Sequence, residues 1–187
     1  MTTEETDVQF PRLAAVLRYW NRKRGTRQMP ARRDIDPVEI PSLLPVVLLA
    51  EIDGAEARMR LMGEEAAHAF RRDVRGCSVR DFEFGAFTAS WIEAFELVIA
   101  SSAPAVAAGT CALDAHPCRV ETVLAPLADD AGALSHVFGG LVVRPVARDE
   151  PAPVKTLETY VLPLVRRGAE AAEERHARVF RTRGRKG

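Results

Sequence analysis

The segment PARRDIDPVEIPSLLPVVLLAEIDGAEARMRLMGEEAAHAFRRDVRG, residues 30–76, decides the fold of this chain. Its apolar run 46–52 predicts a buried strand, and the Asp-Gly pair at 53–54 is a strong signal for a hairpin turn. Residues 57–61 alternate apolar and basic side chains, which is typical of a half-exposed partner strand. The acidic pair that follows Gly63 then favours the start of a short helix.

The first part of this segment, residues 30–46, is rich in helix breakers and is named here the approach segment. Asp36 before Pro37 has the form of an N-cap followed by a first-turn proline, so isolated turns are expected. The charged residues 32–36 could form an active-site cluster, but side chains that alternate along an extended chain point apart. An Arg–Asp clamp that ties the approach segment to the sheet is the simpler interpretation.

Upstream, the sequence predicts an amphipathic helix from about residue 11 to residue 24. Its apolar stripe repeats at helical spacing and consists of Leu13, Val16, Leu17 and Trp20. Pro11 is tolerated in the first turn, and Gly25 can end the helix. The stripe needs a cover, which is either the sheet or a second copy of the chain in a homodimer.

Downstream, the sequence predicts a second long helix and three more strands. The helix is expected over 86–100 and the strands over 105–113, 118–127 and 134–143. The turn between the first two of these strands is placed at 114–117. Because the connections are short, the strands are expected to be antiparallel neighbours in a meander. Gly139-Gly140 inside the last strand indicates a bulge or close packing against a helix.

Composition excludes several classes of protein. Lys plus Arg and Asp plus Glu number 26 each among 187 residues, so no global field selects nucleic acid or an anionic membrane. The N-terminus MTTEETDVQF is acidic and polar, unlike a signal peptide, and the longest apolar run is too short to span a bilayer. Cys111 and Cys118 could meet across a hairpin, but free buried thiols are expected for both and for Cys77. We expect a soluble, cytoplasmic protein.

The predicted order β-β-α-α-β-β-β is that of the PAS domain, and short motifs strengthen the match. They are Tyr19-Trp20, PARRDIDP at 30–37, LLP at 43–45, RMRLMG at 58–63, RDVRG at 72–76 and ETVLAPL at 121–127. On these residues the chain resembles a family of bacterial single-domain PAS-like proteins, often alphaproteobacterial and mostly uncharacterised, over residues 13–143. The resemblance implies an α+β fold with a PAS-like five-stranded antiparallel sheet and helices on one face, to which this chain adds the N-terminal amphipathic helix.

The resemblance also implies an organisation and a function. We expect an N-terminal helix over 1–29, the PAS-like domain over 30–145, and a Pro-containing linker with a basic helical tail over 146–187. The family implies a non-catalytic sensory module that binds a ligand or another protein. Since no output domain is recognised in this sequence, the signal is expected to pass in trans to an unidentified signalling partner.

The predicted ligand-binding residues are Arg60, Trp91, Phe95 and His136. A guanidinium at Arg60 could bind a carboxylate or phosphate, although exposure to solvent is the plainer interpretation. Trp91 and Phe95 share a helix face that borders the internal cavity of a PAS fold, where they either stack on a flat ligand or simply pack in the core. The cavity between this helix and the segment 30–76 is expected to carry the function.

No cofactor is identified and no catalytic residue is assigned. The histidines, His68, His116, His136 and His176, lack metal-ligand spacing, so no metal site is expected. Haem-binding PAS domains carry a histidine on the long helix, where this chain has none. Cys77 lacks the surrounding motif of the flavin-binding PAS class.

Three alternatives remain open at this point. A small isomerase- or hydrolase-like enzyme with a cone-shaped pocket would need a carboxylate or histidine pair facing the cavity, for which only His136 offers itself. A pure interaction module would have a collapsed cavity. The tail contains many arginines and no acid after Glu174, so it could contact nucleic acid, although a solvated terminus is the simpler interpretation.

Overall fold

The computed structural model describes residues 8, 10–68, 70, 73–113, 116–146 and 160–163. The helices in this part of the chain are α1 (Pro11–Arg24), α2 (Glu64–His68) and α3 (Thr88–Ser101). The strands are β1 (Val47–Asp53), β2 (Glu56–Met62), β3 (Ala105–Leu113), β4 (His116–Ala128), β5 (Leu134–Pro145) and β6 (Tyr160–Pro163). Short 3₁₀ turns lie at Arg32–Asp34, Pro37–Glu39, Leu44–Val46, Val79–Asp81 and Gly85–Phe87.

The strands form one antiparallel sheet in the order β2-β1-β5-β4-β3-β6. The first five strands in the chain are the predicted PAS-like sheet, so the fold class is confirmed. Gly54 has a φ of 61° in the predicted hairpin turn, a left-handed conformation that glycine adopts without strain. Strand β6 is an addition to the predicted fold. It lies within the predicted linker and pairs with Ala105–Ala108 of β3.

Helix α1 spans Pro11–Arg24, as the sequence predicts. Proline at its first position removes no intrahelical hydrogen bond. At the other end, Gly25 donates its N–H to the carbonyl of Asn21 over 3.3 Å, which ends the helix. The basic residues Arg22, Lys23 and Arg24 occupy the last turn, where the helix dipole favours positive charge.

The sheet is buried on both faces, and this gives the chain two cores. The 3₁₀ turns that precede α3, together with α2 and α3 themselves, cover one face, as predicted for a PAS-like fold. Helix α1 covers the other face with Leu13, Val16, Tyr19 and Trp20. The apolar stripe of α1 is covered by the sheet of the same chain, which is one of the two covers that the sequence analysis considered. Homodimerisation stays a prediction, and the α1 stripe is not free to mediate it.

The glycine pair of β5 lets neighbouring layers approach closely. A Cβ atom added to Gly140 would lie 2.7 Å from Leu13 Cδ2 of α1. A Cβ atom added to Gly139 would lie 2.1 Å from the carbonyl oxygen of Val123 in β4, a distance at which the backbone would have to move. The predicted close packing against a helix is therefore confirmed at Gly140.

The approach segment is anchored largely as predicted. Asp36 caps its turn, since its Oδ1 accepts the N–H of Val38 over 2.9 Å. Arg33 pairs with Asp130 in the β4–β5 turn and so supplies an Arg–Asp clamp between the approach segment and the sheet. Arg32, the residue before it, does not take part in that clamp.

A bulge in β2 breaks the predicted alternation, under which Leu61 would face the core together with Ala57 and Met59. Leu49 pairs with Leu61 and Ala50 pairs with Met59, so Arg60 is the extra residue on β2. The bulge breaks the period-two alternation, and Leu61 is 43% exposed as a result.

The boundaries beyond the sheet are only partly observed. Strand β4 begins at His116, so residues 116 and 117 lie in the strand rather than in the predicted turn. The predicted division at residues 29/30 and 145/146 stays a prediction, and the basic tail lies outside the described residues. A search of the described helices finds none with the length and hydropathy needed to cross a membrane.

The α1 core leads to a prediction for Trp20, whose Nε1 donates a buried 2.8 Å hydrogen bond to the carbonyl of Pro126. Trp20→Phe keeps an aromatic ring but leaves that carbonyl unpaired, so we expect the free energy of unfolding to fall by about 1–3 kcal/mol. Urea unfolding measures the loss, with the exposed Glu93→Gln expected within about 0.5 kcal/mol of wild type. A Trp20→Phe protein as stable as wild type would contradict this account of how α1 is held.

Candidate functional site

Helix α3 places Trp91 and Phe95 side by side in the core beneath it. Four positions separate them, so they share one helix face, and their ring centroids lie 4.9 Å apart at an interplanar angle of 66°. The indole Nε1 of Trp91 donates a buried 2.9 Å hydrogen bond to the carbonyl of Val79. Both side chains therefore pack as core residues, whether or not they also contact a ligand.

An aromatic cluster fills the space between α3 and the sheet. Neighbouring ring centroids in it lie between 4.7 and 5.8 Å apart. Its members are Phe70, Phe82, Phe84, Phe87, Trp91 and Phe95. Within the described residues, the chain's own rings thus lie where the cavity between the segment 30–76 and α3 was expected. The sequence FEFGAF at 82–87 supplies three of these rings. Because it lies outside the α-helices and strands, neither helical nor strand periodicity predicts where the rings point.

A small pocket opens between α3 and the β1–β2 hairpin, at the edge of the aromatic cluster. Its apolar wall includes Ala57 of β2 together with Ile92, Phe95 and Ile99 of α3. The enclosed space holds about one water molecule. At the rim, Arg80 donates a 2.7 Å hydrogen bond to Glu96. Phe95 belongs to both the pocket wall and the cluster, so it separates the pocket from the interior.

Arg60 and His136 lie on the opposite face of the sheet. His136 alternates in β5 with Phe138 and Gly140, which both lie beneath α1. Glu51 of β1 is the register partner of His136 and accepts a hydrogen bond from the guanidinium of Arg60. The expectation that His136 faces the internal cavity is therefore wrong, because strand alternation turns its side chain to the α1 face.

The structure thus divides the four predicted ligand-binding residues into two pairs. Trp91 and Phe95 meet in the aromatic cluster, whereas Arg60 and His136 lie on the far side of the sheet, on either side of Glu51. The second pair belongs to a group that we name the polar patch, made of Arg32, Glu51, Arg60 and His136. Whether either pair binds a ligand stays a prediction.

The three charged residues of the polar patch act on the imidazole of His136. Partial burial lowers the pKa of His136 from its ordinary value, and the positive charges of Arg32 and Arg60 lower it further. The carboxylate of Glu51 acts in the opposite direction. His136 is consequently neutral near pH 7 unless a further negative charge arrives.

Sequence reasoning did not place Arg32 and Glu51 in this group. Glu51 gave a weak signal, since it is the first charge in the apolar strand VLLAEID. Arg32 gave no signal of its own, because either Arg32 or the adjacent Arg33 could form the predicted Arg–Asp clamp. Only the turn at Arg32–Asp34 brings that side chain to the end of the sheet.

The described interior offers little for acid–base chemistry. The buried polar side chains in the described part of the chain are Arg24, Ser78, Ser90, Glu121 and Thr122. Glu121, the acid among them, alternates with Val123 and Ala125 on the α1 face, and its Oε2 accepts the N–H of Phe10 over 2.8 Å. Among the described residues, no carboxylate or histidine pair of the kind that an enzyme would need lies beside the aromatic cluster. Three or more metal-ligating side chains do not come together anywhere among the described residues.

Cys111 and Cys118 do meet across the β3–β4 hairpin, where they are register partners. Both are buried free thiols, as predicted, while Cys77 is half-buried. Burial, with a smaller contribution from Cys118, raises the pKa of Cys111 to about 11. The Cys111 thiol is therefore protonated and a poor nucleophile near neutral pH.

A family-model match agrees with this fold. A family model described as PAS domain matches residues 8–142. A search of curated proteins found no match. Among solved structures, the chain is similar to the PAS domain of BvgS from Bordetella pertussis, at 21% identity and a TM-score of 0.44, over 59% of this chain and 84% of that one.

Phe95 is 1% exposed and separates the pocket from the interior, so its truncation tests how the aromatic cluster is packed. Phe95→Ala should lower the free energy of unfolding by about 3–5 kcal/mol and leave an apolar cavity continuous with the pocket. Benzene binds such cavities, so it should raise the melting temperature of Phe95→Ala but not that of wild type. Circular dichroism melts with and without benzene measure both effects.

The control is Ile99→Ala, which trims a half-buried residue of the same pocket wall. We expect a smaller loss of stability and no response to benzene. If Phe95→Ala melted like wild type, or ignored benzene, the aromatic cluster would not be packed as described.

Proposed function

The chain belongs to the PAS domain family, and from this membership we propose that it is a non-catalytic sensory module that acts in trans on a signalling partner in the cytoplasm. The observation that carries the proposal is the aromatic cluster. Within the described residues, the rings of this cluster pack against one another where a ligand cavity was expected. Recognition then falls mainly to the protein surface.

The surface that best suits a partner is the outer face of the β1–β2 hairpin. Helix α1 packs over β4 and β5, so this end of its face is left open. Leu61 and Val38 are the large apolar side chains exposed in the described part of the chain. Leu61 lies beside the charged pair Arg58 and Glu56. An exposed apolar side chain flanked by charges is the composition of a small interaction surface.

Strand β2 connects this surface to the pocket. Ala57 points to the pocket wall, while Arg58 and Leu61 point to the open face. A molecule that enters the pocket between α3 and β2 must push against this strand, since packed cores transmit displacement rather than absorb it. Because the pocket holds only about one water molecule, a larger group would have to displace β2, and that displacement would reach the partner surface on the other side of the strand.

Photo-crosslinking in the native cell tests the partner surface. A photoreactive amino acid in place of Leu61 should give a discrete adduct of higher mass, whose second component mass spectrometry identifies. The control carries the same photoreactive residue at Ala131, an exposed position in the β4–β5 turn. No adduct at position 61, or equal adducts at positions 61 and 131, would count against a partner on the hairpin face.

A further inference from the structure

We propose that the polar patch is a binding site for a phosphate group, held by Arg32 and His136 at the end of the sheet beneath the approach segment. This site is separate from the pocket beside Phe95 and does not depend on the proposed partner surface. Three observations carry it: the backbone path that brings Arg32 next to the strand pair of His136, an uncompensated positive charge, and the hydrogen bonding of the imidazole.

The backbone brings Arg32 to His136. Ala31 forms a parallel bridge with Ala128 at the end of β4, and Ala128 donates its N–H to the carbonyl of Pro30 over 2.9 Å. One residue before Ala128, Leu127 is the register partner of His136 in β5. The turn that follows Ala31 therefore starts next to the strand pair that carries the imidazole, and the guanidinium of Arg32 is close enough to lower the pKa of His136.

Arg32 supplies a positive charge that its surroundings do not compensate. Within the described residues, its half-buried side chain makes no hydrogen bond or ion pair. The neighbouring charges are already paired: Arg33 with Asp130, Asp34 with Arg27, and Arg60 with Glu51. A half-buried guanidinium without a partner is unfavourable, and its planar fork is suited to two oxygens of one phosphate.

The imidazole of His136 is arranged to donate outward when it is protonated. Its Nδ1 lies 3.0 Å from Ser135 Oγ, and that hydroxyl donates to the carbonyl of Leu127 over 3.4 Å. In the imidazolium form, Nδ1–H is thus taken by Ser135, while Nε2–H remains for an oxyanion. Two donors of different kinds, a guanidinium and an imidazolium, then converge on one anion.

This arrangement couples anion binding to protonation. The charged groups that act on His136 are Arg32 from the approach segment, Glu51 from β1 and Arg60 from β2. The two cations disfavour the imidazolium, and a bound phosphate dianion would offset them. By linkage, phosphate raises the pKa of His136, and protonation of His136 tightens phosphate binding by the same factor.

The test is an NMR titration of His136, whose resonance is identified by its loss in His136→Asn. The probes are inorganic phosphate and glycerol phosphate, each compared with chloride and with acetate at matched ionic strength. We expect either phosphate probe to raise the pKa of His136 by about one unit, which is about tenfold tighter binding to the imidazolium form. Binding of the free ion alone, or of the ester as well, distinguishes the two sources of the group.

Adjacent arginines provide matched variants. Arg32→Gln should abolish the rise, Arg32→Lys should keep only part of it, and Arg33→Gln, with the same change in charge, should leave it intact. The proposal is overturned if phosphate acts no differently from chloride, if acetate matches phosphate, or if Arg33→Gln is as damaging as Arg32→Gln. Unchanged amide spectra elsewhere establish that each variant is folded.

Discussion

Two adjacent glycines at the centre of β5, Gly139 and Gly140, set the spacing on which the rest of the structure depends. Strand β5 lies between β1 and β4, and any side chain at Gly139 would collide with the backbone of β4 at Val123. On the α1 face, Gly140 leaves room for Leu13 to rest directly on the sheet. Because α1 sits this close, its apolar stripe is used inside the chain, and the sheet is buried on both faces.

Closure of both faces moves recognition to the remaining surfaces. The edge of β2 is occupied by the loop after α2, where Met59 exchanges backbone hydrogen bonds with Gly76 and Cys77. The edge of β3 is occupied by β6. Covered edges discourage nonspecific strand pairing. Among the described residues of the sheet, the hairpin face around Leu61 and the polar patch around His136 stay open, two surfaces of different chemistry at one end of the sheet.

Much of this architecture could be predicted from the sequence, because local rules decide it. Apolar periodicity and capping residues gave α1 with its observed bounds, and Asp53-Gly54 gave the hairpin. The site was harder, because it depends on contacts between distant segments. Alternation alone could not tell which face α1 covers, so His136 was expected in the interior. The bulge at Arg60 turned the side chain of Leu61 from the core to the solvent. The rings at 82–87 lie outside the α-helices and strands, so no periodic pattern showed that they pack where the cavity was expected.

The central claim is that α1 is an integral layer of this PAS domain, seated on the glycine pair of β5. Hydrogen exchange followed by mass spectrometry tests it most directly, since an isolated helix of this length is only marginally stable in water. The account predicts that the amides of α1 are protected to a degree comparable with those of β5. Exchange of α1 at the rate of an exposed helix, with β5 still protected, would contradict it.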